Sequence, residues 1–187
     1  MRTLVFCLEE PSAQAMLEGL LPRMLGDDVE ICYLVFRGKQ DLDKQLVKRL
    51  RGWLRPNTDF LVLRDQDYGD CHDTKRKLLR LCQQAGRTNT LVRIACRQLE
   101  SFYLGDLCAV EKGLGISGLH QKQNSRKFRN PDVLGAAVDE LKRLTKGQYQ
   151  KVSGSRAIGK HLALGANRSR SFRVLVQGIR DVVEKRK

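Results

Sequence analysis

Apolar and polar positions alternate in two rhythms along the first half of the chain. Thr3 to Leu8 is a short apolar run that stops at Glu9, Glu10, Pro11 and Ser12, as a buried strand stops at turn residues. Ser12 is a good helix N-cap, and Met16, Leu17, Leu20, Leu21 and Met24 then recur at helical spacing up to Gly26. Val29 to Phe36 reads as a second buried strand. Asp41 opens a helix with Leu42, Leu46, Leu50 and Trp53 on one face. Phe60 to Leu63 is a third strand, Asp73 or Thr74 begins a helix carrying Leu78, Leu81, Cys82 and Ala85, and Thr90 to Cys96 is a fourth strand. Strands alternating with helices at this spacing require parallel crossovers. The pattern therefore predicts an α/β fold with a mainly parallel sheet flanked by helices, its functional groups gathered at the carboxyl ends of the strands.

Beyond residue 97 only the helical rhythm remains. Leu99 to Leu107 reads as one helix, and the polar, Gly-rich stretch from Gly113 to Asn130 is the loosest segment. Asn130 and Pro131 have cap and N1 chemistry, followed by Leu134, Ala137, Val138, Leu141 and Leu144 on one face. A last helix from about Ser171 shows Phe172, Leu175, Val176, Ile179 and Val183. The expected organisation is an α/β core over residues 1–110 with a basic helical extension, residues 111–187, packed on it.

Charge sets the two parts further apart. The 187 residues carry a formal net charge of +14. Residues 1–120 hold 18 basic and 16 acidic side chains, whereas residues 121–187 hold 17 and 5. Such asymmetry favours a polyanion partner, nucleic acid before an anionic membrane surface, over a merely solvated basic face. No apolar run approaches the roughly 18 residues of a membrane span, and acids follow the opening apolar run, so neither a transmembrane helix nor a secretory signal is expected. The six cysteines form no CxxC and no zinc-type cluster. Cys7, Cys32 and Cys96 fall in strand-like runs, which fits a reducing, cytoplasmic setting; Cys71, in a polar turn, is the one expected to be exposed.

Familiar catalytic motifs are missing. There is no GxxxxGK[ST], no GxGxxG after the first strand, no GxSxG and no HExxH. What remains is carboxylates at strand ends: Glu9 and Glu10 after the first strand, Asp65 and Asp67 after the third, with Asp70 beyond. On one sheet edge these acids repel unless neutralised, and Mg²⁺ takes such oxygen ligands together with water and substrate phosphate. Alternation along an extended strand would point Asp65 and Asp67 the same way. The competing reading makes them turn acids and helix caps.

The run LVFCLEEPSAQAML, followed about 55 residues later by FLVLRDQD, resembles the TOPRIM fold of topoisomerases, primases and overcoming-lysogenisation-defect (OLD) nucleases. Together with IACRQLESFYLGD and NRSRSF, nearly the whole chain is similar to a bacterial TOPRIM-like family of unknown function often encoded beside AAA-type ATPases, including in phage defence. The resemblance implies that Glu9 matches the TOPRIM glutamate and that Asp65 and Asp67 match its DxD pair. Glu10 stands where that turn usually has Gly, and Ala13 where it often has Asp, so Glu10 or Glu100 would have to supply a missing metal ligand. Glu100 resembles the late acid of the nuclease branch; its alternative is a helix acid paired with Arg97.

Lys39, after the second strand, could contact a phosphate at the same edge or be an ordinary loop lysine. Arg156, Lys160, Arg168 and Arg170 cluster with Ser169 and Ser171 as candidate backbone-binding groups, or as a solvated helix face. His161 is a lone candidate acid–base group. Aromatic residues are only 6% and are not interleaved with basic ones, so no stacking platform is indicated. The sequence thus points to a Mg²⁺- or Mn²⁺-dependent nuclease of TOPRIM type, acting on DNA or RNA beside an ATPase partner. The alternative is a non-catalytic TOPRIM-like module that binds nucleic acid or the ATPase.

Overall fold

A computed structural model describes residues 2–184. Its centre is a four-stranded sheet of β1 (Arg2–Leu8), β2 (Val29–Val35), β3 (Thr58–Asp65) and β4 (Leu91–Ala95), in the order β2-β1-β3-β4. Every pairing is parallel, with Leu8 opposite both Val35 and Leu63, and Asp65 opposite Ala95. The period of two sorts the strand residues between two cores. Val5, Cys7, Phe60, Val62 and Val92 pack under α2 (Lys39–Arg51) and α3 (Cys71–Gln84), which contribute Leu42, Leu46, Leu50, Leu78 and Cys82. Leu4, Phe6, Leu8, Leu61 and Leu63 face the other way.

That second face is covered by α1 (Pro11–Leu20) and by everything after β4: α4 (Glu100–Leu104), α5 (Leu107–Leu114), α6 (Ala137–Leu144), α7 (Lys151–Gly159) and α8 (Arg170–Glu184). Phe102 and Phe172 meet edge-on at 5.3 Å, and Tyr149, Ile158 and Leu175 are buried in the same core as Phe6. Among the described residues no helix is long and apolar enough to cross a membrane.

One crossing positions the site. Gly19 of α1 meets α7 so closely that a Cβ there would lie 2.7 Å from the Lys160 backbone nitrogen, and Gly159 meets the Met16 carbonyl in the same way. Only the missing Cβ allows this approach. The two helices run in the same direction, because Glu10 and Lys151 meet at their starts while Glu18 and Arg156 pair farther along.

Element ends differ from the expectation where local chemistry competes. Glu10, not Ser12, occupies the N-cap position of α1, with Pro11 at the first helical position; Ser12 Oγ instead donates to Glu10 Oε1 at 2.6 Å. Helix α2 begins at Lys39 rather than Asp41, and α3 at Cys71, because Asp70 accepts from the backbone N–H groups of His72 and Asp73. Leu99 to Leu107 is broken at Gly105, whose Cβ would strike Asn167, and Asp106 caps a new helix. The Asn130-Pro131 signal opens only a 3₁₀ turn before α6, and α7 has no counterpart in the apolar pattern. Glu111 ties down residues 119 and 120, within the stretch expected to be loosest, through their backbone N–H groups. All six cysteines are free, and it is Cys108, rather than Cys71, that is exposed.

Candidate functional site

The strand order reverses direction between β1 and β3, so the crevice beyond their carboxyl ends is the place where an open α/β sheet receives ligands. Glu9 and Asp65 flank it. The Glu9 carboxylate accepts from the Asp65 backbone N–H at 3.1 Å, joining two residues 56 positions apart. Gly38 donates to the Glu9 carbonyl at 2.9 Å, which brings the start of α2, and with it Lys39, to the same edge.

Glu100, in the first turn of α4, is fully buried. Its partner is not Arg97 but the Tyr149 hydroxyl, which donates to Oε1 at 2.9 Å. The other oxygen, Oε2, is buried and, among the described residues, has no hydrogen-bond partner. Tyr149 is itself held by Gly154, since a Cβ there would lie 2.6 Å from the ring.

The charges of these acids are felt mutually. Burial, then the carboxylates of Glu100, Glu9 and Glu10, hold Asp65 well above the usual carboxylate range, against an opposing hydrogen bond from the Leu99 backbone. Burial also raises Glu100, opposed by the Tyr149 hydroxyl and reinforced by Glu10. Glu9 is raised by burial and by Asp67 and Glu10, against the Asp65 N–H and Arg64. Arg64 Nε stands 3.9 Å from Glu9, while its Nη1 is committed to Asp43 at 2.7 Å. The outer acids are treated differently. Lys151 Nζ lies 2.9 Å from Glu10, and Lys39 Nζ lies 2.8 Å from Asp67. Burial works against the Lys151 ammonium, yet Glu10, Glu100 and Asp65 together raise it on balance. The Asp67 hydrogen bond and charge raise Lys39.

Strand alternation does not place Asp67. Strand β3 ends at Asp65, and Asp67 sits in a turn with φ +56°, its N–H bonded to the Arg97 carbonyl, itself on a residue with φ +63°. Both are left-handed backbone at non-glycine residues, an arrangement that recurs at functional sites. Of the expected nucleic-acid contacts, Lys39 is paired as above, Arg156 pairs with Glu18, and Arg168 bonds Asn124. Lys160 and Arg170 are exposed, and His161 lies at the opposite end of α7 from Lys151, away from the acids. Lys151, Tyr149 and Arg64 carry no motif in the sequence; the faint signal is the glycine spacing within KVSGSRAIGK, which marks a helix built for close packing.

The donor set is all oxygen, which suits Mg²⁺ or Mn²⁺, and the orphaned Glu100 Oε2 is the atom a cation would satisfy. Among the described residues, however, no three acidic, imidazole or thiol side chains are already spaced to hold a metal ion. Glu10 and Asp67 are instead held by lysines.

A family described as a domain of unknown function (DUF4276) matches residues 8–180. No curated protein matches the sequence significantly. Among solved structures, the C-terminal region of the Burkholderia pseudomallei OLD protein is similar, with a TM-score of 0.58 and 16% identity over 96% of this chain and 98% of that one. At this identity the likeness speaks to fold: a four-stranded parallel sheet flanked by helices.

Proposed function

The chain belongs to the DUF4276 family, and we propose that it is a TOPRIM-like, Mg²⁺- or Mn²⁺-dependent phosphodiester hydrolase acting on nucleic acid. The observation that carries this reading is the buried, half-unpartnered Glu100 carboxylate beside Asp65, Glu9 and Glu10 at the switch point of the sheet. Buried acids without a cation are destabilising, and proteins retain them chiefly where an ion or a reaction needs them.

Asp65, Glu9 and Glu100 would hold the cation, with Glu10 and Asp67 as reserve ligands. A divalent cation held there supplies positive charge to phosphodiester oxygens and acidifies water. The protein's own groups do the remainder. Tyr149 fixes one oxygen of Glu100 and leaves the other free. Lys151 and Lys39, themselves exposed, stand at the same edge on half-buried carboxylates and can exchange these for substrate phosphate, since a rim ion pair is worth little. Lys160, Arg168 and Arg170 would hold the backbone by charge. In this proposal residues 1–110 carry all the metal ligands, and residues 111–187 carry most of the nucleic-acid grip together with Lys151 and Tyr149.

An AAA-type ATPase as partner, in cytoplasmic phage defence, belongs to this proposal on the strength of the sequence resemblance alone. A second reading, a non-catalytic binding module, is favoured by the lysines already seated on Glu10 and Asp67 and by Ala13 in the first turn. Incubation with plasmid, oligonucleotide DNA and RNA in Mn²⁺ separates the two. Cleavage that EDTA and Asp65→Asn both abolish supports the hydrolase; tight binding without cleavage or metal uptake supports the module.

A further inference from the structure

Past the acids, the same edge continues to β4, the last strand of the sheet. There α3, β4 and the start of α8 enclose a groove of about 350 Å³, near the small end of the range for ligand sites. Its floor is apolar, made by Val92, Ile94 and Val174, and Val174 is 44% exposed. Its rim carries Lys75 and Arg170, both exposed and, among the described residues, with no ion pair or side-chain hydrogen bond. The rim's acid, Asp132, is already committed to Ser169 and Ser171. Lys39, Lys151 and Arg156 are paired with carboxylates, whereas the two rim cations of the groove are free to meet an anion.

A second feature lies on the turn just before α3. Tyr68, 91% exposed, stands on the turn that leads from the end of β3, where Asp65 lies, into α3, whose first turns wall the groove. The turn is held in place: Gln66 Nε2 donates to the Gly69 carbonyl at 2.8 Å, and the Asp67 N–H donates to the Arg97 carbonyl at 2.8 Å. A large ring is thus displayed to solvent on a braced backbone. Its neighbours in sequence are acids and glycine, so no basic–aromatic pattern announces it.

We propose that Tyr68 and this groove form a seat for a single strand of nucleic acid leaving the acid edge. One base stacks on Tyr68, the next lodges on Val92, Ile94 and Val174, and the linking phosphates meet Lys75 and Arg170. Duplex nucleic acid hides its base faces, so only an unpaired strand can use both the ring and the apolar floor. The inference rests on the reading of the chain as a nucleic-acid binder but not on cleavage.

The test is fluorescence anisotropy in EDTA, with the full chain and either labelled oligodeoxythymidylate or a duplex of equal length. Wild type should prefer the single strand. Tyr68→Ala should weaken that binding by about five- to 150-fold, the range for one stacked base, and leave the duplex unchanged, while Tyr68→Trp should restore it. Lys75→Glu with Arg170→Glu should flatten the single-strand salt dependence, by about 0.7 in log–log slope for each phosphate no longer neutralised. Tyr68 is too exposed for its replacement to disturb folding. Equal weakening on both probes, no weakening on either, or an unchanged salt slope overturns the seat. Duplex binding without single-strand preference also overturns the seat while sparing the nucleic-acid reading, and no binding to either probe ends both.

Discussion

Glu140 and Glu100 are both buried helix carboxylates, yet the protein surrounds them in opposite ways. Glu140 accepts from Lys127 at 2.6 Å and from Arg143 at 2.6 and 3.2 Å. Burial alone would raise its carboxyl, but these two cations hold it below the usual carboxylate range. Glu100 has a neutral tyrosine on one oxygen and, among the described residues, no hydrogen-bond partner on the other, and burial leaves it raised. Burial raises both carboxyls and is deeper at Glu100, but only Glu140 has cations in hydrogen-bond contact to offset it. A structural acid receives its cation from the chain; Asp65 and Glu100, the inner acids of the β1–β3 crevice, have none among the described residues. The same contrast recurs inside the crevice, where the outer Glu10 and Asp67 each hold a lysine and the inner Asp65 and Glu100 hold none.

Chemistry should separate the two kinds of acid most strongly. Asp65→Asn or Glu100→Gln should lower Mn²⁺-dependent cleavage by about a hundredfold or more, beyond what removing an outer-shell partner costs. Glu140→Gln should leave cleavage within about twofold of wild type. An equal fall in all three variants would erase the distinction between the two regions.

Stability without metal should move the other way, as urea and thermal denaturation would show. Glu140→Gln should cost about 1–2 kcal/mol, the scale of a charge-assisted hydrogen bond, whereas Asp65→Asn and Glu100→Gln should raise the melting temperature at neutral pH. The pH dependence follows from the signs. Glu100 and Asp65 have raised values in the folded chain, so their contribution is complete below the unfolded carboxylate range, about 4, and is lost as pH rises through the folded values. Glu140, lowered in the folded chain, contributes above that range and loses its contribution as pH falls through its folded value. Melting curves across pH should therefore flatten in the range just above about pH 4 in Glu100→Gln, and in the range below it in Glu140→Gln.

The outer acids should respond least. Asp67→Asn breaks a pair in which Lys39 is 49% exposed, so stability should change by less than about 1 kcal/mol. Cleavage should fall by about tenfold, far less than for Asp65→Asn. A fall as deep as that of Asp65→Asn would move Asp67 among the inner ligands.

The strands, their parallel sense and the meeting of Glu9 with Asp65 are legible in the sequence because a period of two and turn residues at strand ends are local signals. Helix α7 is not, since its sequence is too rich in glycine and serine to show an apolar stripe; its place depends on the α1 backbone it touches. Lys151 and Tyr149 are hidden for the same reason, reaching Glu10 and Glu100 from 141 and 49 residues away. Asp67 departs from the strand expectation because a DxD pattern reads as strand, whereas Asp67 follows the last paired residue and turns into left-handed backbone. Glu100 looks like an ordinary helix acid in sequence, as burial arises only once α4, α6 and α7 close over it.

Calorimetric titration with Mn²⁺ at neutral pH, comparing wild type with Asp65→Asn, Glu100→Gln and the Glu140→Gln control, asks whether the crevice acids are the ones that await a cation. Saturable binding is expected in wild type and in Glu140→Gln, and none in the two crevice variants. Binding that survives Asp65→Asn and Glu100→Gln unchanged, or no uptake by wild type at millimolar Mn²⁺, would contradict the assignment.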